Sequence, residues 1–231
     1  HSEPAVCCTP NYGRNLSYFV EQIWMKATDG IAAVMYGPTL LTTEINGTKV
    51  SIEQRTNYPL SDEVTFVIKL DTPTRFTLYF RQPAWTDAIE SDTPLGEATA
   101  GFYRIDKEWK DGEEIKIRLQ NEVQLQTANN EEQYLQRGPL VYAYEIPHQE
   151  KAVKAYDYKN FQDYYCLPTQ KDFADVSLPD PTEFRWKTDE QAQTFHDSEI
   201  YLECHLPEAQ AGQETLKLVP MGKTILRRVT F

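Results

Sequence analysis

Cys7 and Cys8 stand side by side in the run Ala5-Val6-Cys7-Cys8-Thr9-Pro10-Asn11, ahead of a helical segment, and are the chain's one candidate for reactive chemistry. Neighbouring cysteines bridge each other poorly, because a disulfide wants Cα atoms about 5.5 Å apart across a defined dihedral. As thiolates they can bind one metal ion, and zinc accepts thiolate, imidazole and carboxylate ligands. Two ligands fill only half of a tetrahedron, and the chain holds neither a CxxC pair nor a Glu-x-Cys to complete it. The plainer reading is two partly buried thiols at a helix start. A helix N-terminus nevertheless favours negative charge and so lowers a thiol's pKa, and metal ligation lowers it further.

The elements that must position this pair follow from periodicity. Between Asn11 and Lys26 the apolar residues Leu16, Phe19, Val20, Ile23 and Trp24 recur at helical spacing, forming one stripe that Asp29-Gly30 ends. Such a stripe needs a partner surface, and bare it invites aggregation. Beyond Gly30 the pattern changes to alternation. Ile31 to Tyr36, Val50 with Ile52, Val64 to Leu70, Phe76 to Phe80, Phe102 to Ile105 and Ile115 to Leu119 read as strands, with tight turns at Asn46-Gly47 and Asp111-Gly112. Pro83 ends ladder donation after the fourth of these. Asn129-Asn130-Glu131-Glu132 breaks the pattern, and strands return at Tyr134 to Tyr142, Ile200 to Cys204, Thr215 to Val219 and Thr224 to Val229, around an irregular Tyr- and Pro-rich middle. The expected fold is all-β: two β-sandwich domains, residues 28–128 and 129–231, after one helical element in residues 1–27.

Composition narrows the function classes. With 40% apolar residues the 231-residue chain can build real cores. A net charge of −12 repels phosphate backbones and anionic headgroups, so neither nucleic acid nor a membrane surface is an expected partner. The longest apolar run, Ile31 to Tyr36, is far short of the roughly 20 residues that span a bilayer. Four cysteines are too few for a disulfide scaffold, and Cys166 and Cys204 read more simply as free thiols than as a bridge. The opening His1-Ser2-Glu3-Pro4 has no initiator Met, basic n-region or apolar h-region, so the expectation is a portion of a longer parent. Compartment is not legible: a parent with a signal peptide would be periplasmic or extracellular, and one without would be cytoplasmic.

The run Cys7-Cys8-Thr9-Pro10-Asn11 with its following helix resembles the Cys-Cys-Pro-Pro-Asn element of glycoside hydrolase family 127, the β-L-arabinofuranosidases. Later landmarks are similar and in the same order: Asn57-Tyr58-Pro59, Arg81-Gln82-Pro83-Ala84-Trp85, Glu108-Trp109-Lys110-Asp111-Gly112, Gln136-Arg137-Gly138-Pro139-Leu140-Val141-Tyr142 and Leu218-Val219-Pro220-Met221-Gly222. The resemblance implies an (α/α)6 barrel ahead of two β-sandwiches, of which this chain would carry the last catalytic element and the barrel's remaining helix. It implies that Cys7 is the catalytic nucleophile of a retaining enzyme, attacking the anomeric carbon, and that Cys7 and Cys8 are zinc ligands. The other zinc ligands and the acid/base glutamate would lie upstream, as would the pocket for an oligosaccharide. The chain by itself is then expected to be inactive, since loss of acid/base catalysis alone removes about 10² to 10⁴ in rate. Zinc is expected in the intact parent and weakly or not at all here. Thr9 departs from the family's proline beside the site.

The rival reading is a non-catalytic sandwich module that binds carbohydrate or protein, with both cysteines inert. Trp85, Trp109, Trp186 and the Tyr156, Tyr158, Tyr164 and Tyr165 group could stack on sugar rings, although packing roles are the simpler expectation. The pairs Asp62-Glu63, Glu113-Glu114 and Glu131-Glu132 fall at turns or strand starts, where solvation explains them better than two-carboxylate hydrolysis. Strand alternation puts Cys204 and His205 on opposite faces, and His148 and His196 stand among polar neighbours with no evident partner.

Overall fold

A computed structural model describes residues 8–158, 162–170, 176–189, 191–192, 194–210 and 213–231, and contacts divide the chain into two units, one ending at Gln120 and the other beginning at Asn121.

The first unit opens with helix α1 (Cys8–Gln22), followed by β1 (Trp24–Ala27), β2 (Gly30–Ala33), β3 (Thr39–Ile45), β4 (Thr48–Arg55), β5 (Glu63–Leu70), β6 (Thr74–Arg81), β7 (Ile89–Ser91), β8 (Phe102–Trp109) and β9 (Glu114–Leu119). They form a four-stranded sheet, β1-β2-β6-β8, and a five-stranded one, β3-β4-β5-β9-β7. The alternation in the sequence becomes the sandwich core. Ile31, Phe76, Leu78, Phe80, Ile105 and Trp109 of the first sheet meet Val50, Ile52, Val64, Phe66, Ile68, Ile115 and Ile117 of the second. Asn46 and Gly47 make the β3–β4 turn with φ of 52° and 78°, the left-handed pair that suits a two-residue hairpin.

The helix ends earlier than periodicity suggests. Ile23 and Trp24 continue the helical spacing, yet Ile23 is core and Trp24 starts β1, its indole donating to Thr39 Oγ1 at 3.2 Å and its ring edge-on to Phe66 at 6.1 Å. Packing against Phe66 outweighs one more helical turn, because tertiary burial overrides local propensity. A two-residue turn, Thr28-Asp29, then returns the chain into β2. Asp29 accepts hydrogen bonds from Thr77 Oγ1 and Tyr79 Oη, each at 2.9 Å, which hold its carboxyl below the usual range.

The second unit contains β10 (Val123–Thr127), β11 (Gln133–Arg137), β12 (Leu140–Glu145), β13 (His148–Ala155), β14 (Gln162–Pro168), β15 (Arg185–Thr188), β16 (Ile200–Gln210), β17 (Gln213–Pro220) and β18 (Arg227–Arg228). Its seven-stranded sheet runs β10-β11-β12-β17-β16-β15 with β18 on β12, while β13 and β14 form a separate hairpin. Leu135, Tyr142, Leu202, Leu216 and Leu218 lie at the centre of its core. Where alternation predicts a strand over Thr224 to Val229, only Arg227 and Arg228 pair, after a 3-10 turn at Met221–Lys223.

Lys223 replaces missing sheet contacts there. Its ammonium donates to the carbonyls of Phe195 at 2.9 Å and His196 at 3.0 Å, and also to that of Ser198, tying the 194–198 loop to the turn. Removing the ammonium in Lys223→Met leaves those carbonyls without their charged donor. The expected cost to the second unit is about 2 kcal/mol, read by urea denaturation, with faster proteolysis in the loop.

Candidate functional site

Cys7 lies outside the described residues, and Cys8 is described only as the first residue of α1. The rest of the helix is informative. Every residue from 11 to 22 is exposed, and the apolar stripe is bare, with Leu16 at 67%, Phe19 at 42% and Val20 at 59% of full exposure. An amphipathic helix whose apolar side meets nothing among the described residues lacks the burial that ordinarily stabilises it.

The other landmark motifs have mainly structural roles. Trp109 is fully buried, lies 5.5 Å from the Phe76 ring and donates its indole N–H to the Phe76 carbonyl at 2.8 Å. Two residues on, Asp111 accepts the Leu70 N–H at 3.0 Å and Gly112 takes the left-handed φ of 77°. That motif therefore closes the β8–β9 turn over the end of β5. In the second unit Gly138 turns β11 into β12 at φ 54°, and the Arg137 guanidinium stacks 3.5 Å above the Trp186 ring. Trp186 in turn donates to Tyr142 Oη at 3.1 Å.

Asn57-Tyr58-Pro59 and Arg81 to Trp85 converge. Tyr36 Oη donates to the Arg81 carbonyl at 2.6 Å and its ring lies edge-on to Tyr58 at 6.4 Å. Burial pushes the Tyr58 phenol well above its ordinary pKa, with the Trp85 indole N–H close enough to favour the phenolate slightly but not in hydrogen-bond geometry. Tyr58 Oη, Arg81 Nε and Trp85 Nε1 are buried without a hydrogen-bond partner among the described residues, three donors at one end of the first unit's landmark motifs. Gln82 holds the loop by donating to the carbonyls of Thr86 and Asp87, each at 3.0 Å.

The remaining candidates separate cleanly. Cys204 is buried and His205 exposed, on opposite faces as alternation requires; burial, with Glu183 beside it, pushes the Cys204 thiol up. Cys166 and Cys204 are both free. Glu63 and Glu114 open β5 and β9 on the surface, and Glu131 sits in a turn at φ 66°. Tyr158, Tyr164 and Tyr165 are exposed rather than packed, the last two on β14. Among the described residues no helix is long and apolar enough to cross a membrane.

Residues 30–121 match the family described as "Beta-L-arabinofuranosidase, GH127 middle domain", a span that ends one residue beyond the first unit. No curated protein matches the chain. Among solved structures, a GH127 β-L-arabinofuranosidase from Geobacillus stearothermophilus T6 is similar, at 18% identity and TM-score 0.65, over 95% of this chain and 35% of that one. A protein described as a glycoside hydrolase is similar at 21% identity and TM-score 0.66, over 96% and 38%. A GH127 β-arabinofuranosidase is similar at 16% identity and TM-score 0.58, over 94% and 36%. At these identities the likeness is one of fold, and the chain spans little more than a third of each structure it matches.

Proposed function

Because the chain is GH127-like over part of its length, we propose that it is the C-terminal β-sandwich region of a retaining glycoside hydrolase. The substrates are β-L-arabinofuranosides or related sugars, Cys7 is the nucleophile, and Cys7 and Cys8 are zinc ligands. The observation that carries this reading is the family match over residues 30–121 together with the adjacent Cys7-Cys8 pair in the sequence, of which Cys8 is the first residue of α1. The bare stripe of Leu16, Phe19 and Val20 supports it, since a helix of the absent barrel would have its apolar side covered by neighbouring helices.

Two adjacent thiols fit a zinc ion in chemistry, as soft anionic donors, and need two further ligands from upstream chain. Zinc, when bound, supplies positive charge that keeps the thiols deprotonated. Cys7 Sγ then attacks the anomeric carbon while the bond to the leaving oxygen breaks, and that oxygen takes a proton from an upstream acid. Water, deprotonated by the same group, displaces the sulfur in a second inversion, so configuration is retained overall. On this reading the sandwich strands contribute no reacting group.

The test uses the parent protein with this chain at its C-terminus and an aryl β-L-arabinofuranoside panel. Cys7→Ala is expected to lower kcat at least about 10⁴-fold, the scale of losing a covalent nucleophile. Undiminished turnover in that variant, or no sugar released from any furanoside by the zinc-loaded wild type, overturns the reading.

A second reading, a carbohydrate-binding module without catalysis, draws on the exposed Tyr158, Tyr164 and Tyr165. Calorimetric titration of this chain with arabino-oligosaccharides separates the two. A module binds without the barrel, and an accessory region releases no heat.

A further inference from the structure

We propose that the β13–β14 hairpin is a binding site for one divalent transition-metal ion, zinc by preference, held by His148, Glu150 and Cys166. One donor atom from each of the three lies within 4.8 Å of the other two.

Strand geometry makes the cluster. His148 and Glu150 are two residues apart on β13 and so share a face, and Cys166 is the residue paired directly with Glu150 across the hairpin. Lys151, one position on, belongs to the opposite face. Side chains that share a face in neighbouring register positions converge without any loop having to fold over them.

The histidine is already oriented for ligation. His148 Nδ1 lies 3.0 Å from the Ile146 carbonyl, and the neutral tautomer that donates this hydrogen bond keeps its lone pair on Nε2 for a metal. Histidines that bind metals ordinarily anchor the other ring nitrogen in this way. Donors around one tetrahedral zinc stand about 3.5 Å apart, given bonds of roughly 2.0 to 2.3 Å. Moving from the present spacing to that one needs only small side-chain rotations, which the half-buried His148 and Cys166 and the exposed Glu150 can make.

The donor set selects the ion. Thiolate, imidazole and carboxylate together suit zinc and cobalt, whereas calcium and magnesium prefer oxygen alone. One thiolate and one carboxylate also neutralise a divalent charge. Lys217, the cation lining the cleft beside His148, has its ammonium drawn over the Tyr201 ring at 3.9 Å. Three protein ligands leave the fourth position to water, an open arrangement.

The test is a titration with Co²⁺ alone, on the chain carrying Cys7→Ser and Cys8→Ser so that the other candidate thiolates contribute nothing. The expected result is saturation at one equivalent, with tetrahedral d–d bands and a thiolate-to-cobalt charge-transfer band that stoichiometric Zn²⁺ abolishes. Adding Cys166→Ser removes the charge-transfer band, and adding His148→Ala weakens Kd at least about tenfold. Absence of a saturable one-equivalent band overturns the proposal, as does a charge-transfer band that survives Cys166→Ser. Because the background lacks Cys7 and Cys8, neither outcome bears on the proposed catalytic centre.

Discussion

Gly30→Ala is expected to destabilise the first unit by about 3 kcal/mol or more, the upper range for overpacking. A Cβ at Gly30 would lie 1.8 Å from the Thr77 carbonyl oxygen, 2.7 Å from its carbon and 2.9 Å from its nitrogen. All three are backbone atoms, so no rotamer change relieves the clash, and β2 must move away from β6. The two strands pair in parallel there, Gly30 against Thr77 and Ala33 against Phe80. Moving them apart also loosens Asp29, which accepts from the Thr77 N–H at 3.0 Å as well as from the Thr77 and Tyr79 hydroxyls. Gly37→Ala is the matched control, because nothing lies within 4 Å of its added Cβ; it should stay within about 0.5 kcal/mol of wild type. Urea denaturation of both variants decides the matter, and equal midpoints would mean that β2 does not approach β6 as described.

Trp109→Ala carries the other large effect, about 3–5 kcal/mol. The side chain is fully buried, so its loss leaves a cavity bordered by Phe76 and removes the donor to the Phe76 carbonyl. The Lys107 ammonium, 4.5 Å above the indole and paired with Glu113 at 2.7 Å, loses its ring contact as well. Trp109→Phe separates these contributions: it keeps a ring against Phe76 and removes the hydrogen bond, for an expected cost of about 1–3 kcal/mol. Thermal unfolding should place the three proteins in the order wild type, Trp109→Phe, Trp109→Ala. A Trp109→Ala chain as stable as wild type would show that this landmark tryptophan does not organise the core.

Both predictions concern residues that periodicity or motif resemblance made visible for other reasons. Trp109 belongs to a landmark motif that reads as a family signature, and its role is to seal a sandwich. Gly30 reads as a helix stop and acts as the point where two backbones touch. One-dimensional patterns report that a residue is constrained, and the nature of the constraint depends on which distant strand arrives beside it.

The outer limits of the pattern are equally physical. The strands of the first unit were legible because each buries one face, which forces alternation at Val64, Phe66, Ile68 and Leu70 and at Ile115, Ile117 and Leu119. β13 and β14 are exposed along nearly their whole length. With no buried face they leave no period to read, and the middle of the second unit appears irregular in the sequence. His148 and Cys166 are 18 positions apart for the same reason: only the pairing register brings them together.

By itself the amino-acid sequence determined the all-β class, the left-handed turn at Asn46-Gly47, the adjacency of Cys7 and Cys8 ahead of a helix, and an ordered series of motifs that resemble those of GH127. These are local properties, set by side-chain period, backbone φ preference and residue order. Tertiary structure alone decided that Ile23 and Trp24 leave the helix for the core, that Gly30 lies against Thr77, and that an imidazole, a carboxylate and a thiol meet on one hairpin. Each of those depends on contacts between residues far apart in the chain, where burial and register outweigh what neighbouring residues prefer.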